Sequence, residues 1–230
     1  MNKTLIRHTL AAAALALGAV GAQAATMTLS GWTYGNGNTV STTAPTFNGQ
    51  AGGFSGTLTG AGAPYDGAIQ TYCVELGQYF TFGVGYDSYS VVTAASKFGV
   101  AKADTLSRLL SHVFGNNVIG GADADLKDNM STSLQLAIWN TVYDADSTLV
   151  ASSGSVFNDS SSFALEANSM LSGAQTWAGR PTYDLFVLTS AGQQDQLFWR
   201  ASAAVPEPGS LALAGLALAG LAAARRKRAA

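Results

Sequence analysis

A block of helical periodicity set between two β-patterned stretches limits what this chain can fold into more than any other feature. Leu106, Leu109, Leu110, Val113 and Phe114 recur at helical spacing, and Leu134, Ile138 and Val142 repeat at intervals of four. Gly115-Asn116-Asn117 and Gly120-Gly121 divide this block, which runs from about 101 to 144, into two helices. Before it, residues 27–34, 54–59, 69–82 and 88–93 are rich in Thr, Val and aromatics and are separated by Gly and Asn clusters, as strands and turns require. After it, a third helix is predicted over 163–171. Strands at 183–188 and 197–202 then pair as a hairpin about Gly192-Gln193-Gln194-Asp195. The pattern predicts an α+β fold, a β-rich sandwich or barrel with a helical insertion, and no internal repeat is visible.

Both termini fall outside that fold. Lys3, Arg7 and His8 precede an apolar run at 10–20. Ala22-Gln23-Ala24 then reads as a small-x-small cleavage site, so 1–24 is expected to be a signal peptide. At the other end stand Pro206-Glu207-Pro208, an apolar segment at 211–224, and Arg225-Arg226-Lys227-Arg228. The apolar segment is shorter than the roughly 20 residues that span a bilayer comfortably. A terminal basic cluster resists export and holds its end in the cytoplasm. This layout resembles the PEP-CTERM sorting signal of Gram-negative bacteria. The resemblance implies transient membrane insertion through 211–224, processing by an exosortase near Pro206-Glu207-Pro208, and delivery to the cell surface or extracellular matrix. An uncut C-terminal anchor is the alternative. The expected organisation is therefore a signal peptide at 1–24, an extracellular domain at 25–204 and a sorting signal at 205–230, and the domain is long enough for a real core.

Between 25 and 205 there are six basic and thirteen acidic residues, a net charge of −7. An acidic domain repels phosphate backbones, which argues against nucleic-acid binding. Solubility accounts for the acidity without a partner.

Most catalytic constellations are missing from this stretch. Its one histidine, His112, lies on the apolar-rich face of a helix, so no His-based metal site can be assembled and a structural role is expected. Asp123-Ala124-Asp125 followed by Asp128-Asn129 has the acidic spacing of a calcium loop but not its Gly or closing Glu. Helix capping is the expected role, because the dipole favours acidic residues at a helix start. No phosphate-binding loop and no acid/base pair stands out, and no cofactor is implied.

The single cysteine, Cys73, is the sharpest chemical feature. One cysteine cannot form an intramolecular disulfide, and a free thiol outside the cell is open to oxidation. A buried Cys acting as a small hydrophobe is the plain alternative. Cys73 lies in Thr71-Tyr72-Cys73-Val74-Glu75, in the middle of the longest predicted strand, and Gln135-Leu136-Ala137-Ile138-Trp139 follows in the most strongly patterned helix. An aromatic-Cys-aliphatic strand followed by Gln-x-Ala-Ile-Trp resembles the thioester domains of bacterial surface adhesins. The resemblance implies that the Cys73 sulfur and the Gln135 side-chain carbonyl join in an internal thioester with loss of ammonia. Tyr72, Ala137, Ile138 and Trp139 match the flanking positions, and Tyr72 and Trp139 are the expected walls against water. Those adhesins are anchored to Gram-positive walls and project on stalks, whereas this tail points to a Gram-negative surface.

A thioester carbonyl is electrophilic because it lacks amide resonance. An amine or hydroxyl would attack the Gln135 acyl carbon and expel Cys73, so each molecule would act once rather than turn over as an enzyme. Only three lysines lie between 25 and 205, which limits internal quenching. The expected partner is a protein amine or polysaccharide hydroxyl on a surface or matrix neighbour. A purely structural cross-link is also open, since closing the loop would add roughly 4 kcal/mol by analogy with disulfides. The competing class is a non-catalytic matrix or carbohydrate-binding protein with a buried free Cys73, in which Trp32, Tyr34 and Trp177 could stack on sugars.

Overall fold

The alternation of buried and half-exposed residues along Ala25, Met27 and Leu29 marks the first strand as a barrel wall with one face inward. The computed structural model describes residues 24–43, 45–144, 161–179 and 181–202. Its strands are β1 (Ala25–Trp32), β2 (Asn38–Thr43), β3 (Thr46–Ala51), β4 (Phe54–Thr59), β5 (Gly67–Cys73), β6 (Gly85–Thr93), β7 (Tyr183–Thr189) and β8 (Gln196–Ala201). Six of them close into a barrel in the order β1-β4-β5-β8-β7-β6, with β1 pairing antiparallel to both β4 and β6. Closure gives each barrel strand a neighbour on both sides. Among the described residues, four helices lie between β6 and β7: α1 (Ala94–Phe98), α2 (Val100–Gly115), α3 (Ala124–Tyr143) and α4 (Ser161–Thr176). The fold is thus α+β, and of sandwich and barrel the barrel is the one formed.

The strand expected over 69–82 stops at Cys73. The β4 ladder ends at Phe54↔Thr71 and the β8 ladder at Cys73↔Gln196, so nothing remains to pair beyond them. Val74 makes one last backbone bond, donating to Asp195 O at 3.0 Å. Cys73 is therefore the terminal residue of a seven-residue strand, not the middle of the longest one. Phe80 and Phe82 instead pack edge-on with Phe54, with ring centroids 4.9 and 5.9 Å away.

The hairpin β2–β3 was not foreseen, and it forms a separate two-stranded sheet. The amino-terminal half of α3 holds both of its ends. Asp128 accepts from the backbone N–H of Asn36 at 3.2 Å and of Gly37 at 2.9 Å. Thr132 Oγ1 accepts from Asn38 Nδ2 and donates to Ala51 O, at 3.0 and 2.9 Å. Gly35, at φ +55°, must be glycine twice over, because a Cβ there would lie 2.3 Å from the Asp128 carboxyl carbon. Asp123 caps α3, accepting from the Leu126 N–H at 3.0 Å, the capping role its position suggested.

α3 is buried all round from Ser131 to Thr141. A helix in that position would ordinarily be apolar on every face. This one carries Ser131, Thr132, Ser133, Gln135, Asn140 and Thr141 inside, which requires each polar side chain to find a partner. The site arises from those partners.

Candidate functional site

Where β4 has turned away, the backbone N–H and C=O of Cys73 face α3 rather than a neighbouring strand. Gln135 takes both. Cys73 N–H donates to Gln135 Oε1 at 3.0 Å, and Gln135 Nε2 donates to Cys73 O at 2.8 Å. The glutamine amide thus completes the end of the β5 ladder as a peptide group would, and both residues are buried. The two residues singled out from the sequence, 62 positions apart, are in direct contact.

The Cys73 thiol is free and buried, and it donates to Glu75 O at 2.7 Å. Burial pushes its pKa up to about 12, against a partial lowering by the Glu75 backbone and the nearby Trp139 side chain. Glu75 O also accepts from Gln194 Nε2 at 2.9 Å, and Gln194 Oε1 accepts from Gln196 Nε2 at 2.9 Å. Gln196 in turn accepts from Thr71 Oγ1 at 3.0 Å. This amide chain fixes the turn that holds the thiol.

Cys73, Gln135 and Trp139 open on a cavity of about 290 Å³. Its walls are aromatic. Phe47, on the β2–β3 hairpin, packs edge-on against Trp139 at 5.3 Å between centroids. Opposite stands the cluster of Trp32, Phe54, Phe80 and Phe82, and Tyr79 at the mouth is 71 % exposed. Asn48, Gln50 and Gln194 contribute side-chain amides, and among the described residues lining it there is no carboxylate and no imidazole.

The remaining motif positions separate. Trp139 is one of the cavity's walls. Tyr72 is not, because neighbours on a strand point to opposite faces. Its hydroxyl bonds to Ser131 Oγ at 3.1 Å and its ring stacks with Trp199 at 6.1 Å, on the far side of β5. Gly53, whose N–H donates to Ser131 Oγ at 2.9 Å, passes so close to that ring that a Cβ would sit 2.8 Å from it. Ala137 and Ile138 are fully buried core residues that do not reach the cavity. The walls Phe47, Phe54, Phe80 and Phe82 were missed, although the Phe80-Thr81-Phe82 alternation pointed to one aromatic face.

His112 is half-buried, bonded to Asn116 Nδ2 at 3.1 Å and packed edge-on against Trp177 at 5.9 Å; burial lowers its pKa. Trp32 and Tyr34 pack on the core. Ala22, Pro206-Glu207-Pro208 and Arg225-Arg226-Lys227-Arg228 lie outside the described residues.

Residues 204–228 match the PEP-CTERM protein-sorting motif. The motif marks an exported chain processed by an exosortase and delivered to the cell surface or extracellular space. No curated protein matches the chain. Among solved structures, the N-terminal domain of the Streptococcus pyogenes pilus tip adhesin Cpa is similar over 80 % of this chain and 96 % of its own length, with 15 % identity and a TM-score of 0.47. At that identity and score the likeness carries nothing about residues or chemistry.

Two outcomes follow from the geometry. Gln135→Ala strands the buried Cys73 N–H and C=O together, and should cost about 2–4 kcal/mol in denaturant unfolding. A thiol whose folded pKa is raised contributes stability in full below its unfolded pKa and loses it as pH climbs to the folded value. Protein with a free Cys73 should therefore lose stability between about pH 9 and pH 12, by more than Cys73→Ala does over the same range in thermal melts.

Proposed function

We propose that Cys73 and Gln135 form an internal thioester, and that this surface-sorted protein uses it once to attach covalently to an amine-bearing partner. The observation that carries this reading is the paired hydrogen bonding of Gln135 to the Cys73 backbone at the floor of an aromatic cavity. It supports the reading by holding the amide against the residue that carries the thiol and by polarising its carbonyl.

The steps follow from the chemistry of the groups in place. The Cys73 N–H sits on Gln135 Oε1, where negative charge develops when sulfur adds to the side-chain carbon, so it acts as an oxyanion donor. As the S–C bond forms, the C–Nε2 bond breaks, and the nitrogen leaves as ammonia carrying the thiol proton. Holding both partners on rigid elements converts the encounter into an intramolecular one. In the second step an amine adds to the same carbon, the C–S bond breaks, and sulfur recovers a proton from the amine. A stable amide remains.

The lining also discriminates between nucleophiles. A hydroxyl attacks a thioester usefully only with a base to take its proton, and the described lining offers no carboxylate or imidazole. A neutral amine needs no such help. Two of the three lysines are already engaged: Lys97 is paired with Asp195 at 2.6 Å, and Lys102 Nζ is held on Val142 O at 2.5 Å.

A second reading has a specific observation behind it. The same two hydrogen bonds saturate the end of β5 without any reaction, and a thiol with a pKa near 12 is a poor nucleophile. On that reading the protein is a non-catalytic matrix or carbohydrate-binding component. Incubation with a fluorescent primary amine separates the two. Covalent labelling of the unmodified protein, mapped to Gln135 and absent from Cys73→Ala, is the expected outcome. Equal labelling of both proteins, or none, refutes the thioester.

A further inference from the structure

Trp139 is 2 % exposed, and its indole N–H has no hydrogen-bond acceptor meeting ordinary geometry. A phenylalanine would fill most of the same space without burying an unpaired donor, so packing alone does not account for an indole here. Trp177 also has an unpaired N–H, so such a donor is not by itself a sign of chemistry. Position separates the two. Trp139 lies one helical turn after Gln135 on α3, on the same face, and lines the cavity with Cys73 and Gln135. Phe47 fixes its ring edge-on, and Trp177 lies against His112, away from this cavity.

The reaction proposed above creates an acceptor at this place. Sulfur gains negative charge when its proton leaves during thioester formation, and again when the C–S bond breaks during capture. The Gln135 oxygen already has the Cys73 N–H, but in the resting protein sulfur's contact with Glu75 O has sulfur as the donor. A carbonyl that accepts the S–H proton does nothing for the anionic form of sulfur. We infer that the Trp139 indole N–H is a catalytic hydrogen-bond donor to the Cys73 sulfur, engaged as the S–H proton departs in formation and as the C–S bond opens in capture. The inference rests on the thioester reading. A tryptophan, which can donate but not accept, is suited to this task because it favours the sulfur anion without supplying a proton that would quench it. The resting thiol already feels the indole as an influence opposing the rise in its pKa.

Trp139→Phe removes the donor and keeps an aromatic ring. A finer variant places 3-benzothienylalanine at position 139, keeping both rings and replacing the N–H by sulfur. Purified protein of each kind is treated with methylamine, and adduct formation at Gln135 is timed by mass. Both variants should capture at least about tenfold more slowly than the unmodified protein, in line with the loss of one site donor, while the benzothienyl protein keeps its melting temperature. After methylamine treatment Cys73 is a free thiol, and its alkylation should move to higher pH in both variants. That shift would not follow from altered packing alone. Unchanged capture rates and an unchanged alkylation profile in the benzothienyl protein would overturn the inference and leave the thioester standing. Absence of a methylamine adduct on the unmodified protein would remove both.

Discussion

The site depends on one economy of hydrogen bonding: a glutamine side chain finishing a β-strand. β5 loses its β4 neighbour after Thr71, and the backbone of Cys73 would otherwise be left buried and unpaired. Leaving such groups unsatisfied costs far more than a new bond contributes, so something must occupy the position. Gln135 does so with both ends of its amide. The consequence is that the backbone of the one cysteine and this amide are held together by folding itself.

Much else in the molecule serves α3, the helix that delivers the amide. Asp123 starts it, Asp128 and Thr132 tie the hairpin to its first turns, and Ser131 joins Tyr72 to Gly53 beneath it. The hairpin in turn supplies Phe47, which closes one side of the cavity over Trp139. Part of the cavity wall is thus contributed by an element outside the barrel, and it is α3 that joins the two. The sorting motif at 204–228 marks the chain as exported and handed to the surface.

Which parts were legible in the sequence follows from the physics of each. The α2 and α3 periodicities were readable because hydrophobic spacing along a helix is local information, and Phe54–Thr59 was readable from its bounding glycines. The hairpin was not, because Asn38–Thr43 and Thr46–Ala51 carry few large apolar residues and owe their order to α3 rather than to their own pattern. The early end of β5 was hidden for a related reason, since Val74 to Phe82 keeps a β-like composition after its partners run out. The pairing of Cys73 with Gln135 came from a resemblance in two short motifs, not from any rule of spacing. Tyr72 was misplaced as a wall although the two-residue period of a strand already set it opposite Cys73.

The central claim is that sulfur and acyl carbon become one bond, and the intact mass of the purified protein addresses it most directly. A mass lower by one ammonia than the sequence requires, restored to the full value in Cys73→Ala and Gln135→Ala once their substitutions are accounted for, is the predicted result. A full mass in the unmodified protein, with a thiol that reacts only after denaturation, would contradict the account and reduce the Gln135 contact to a strand cap.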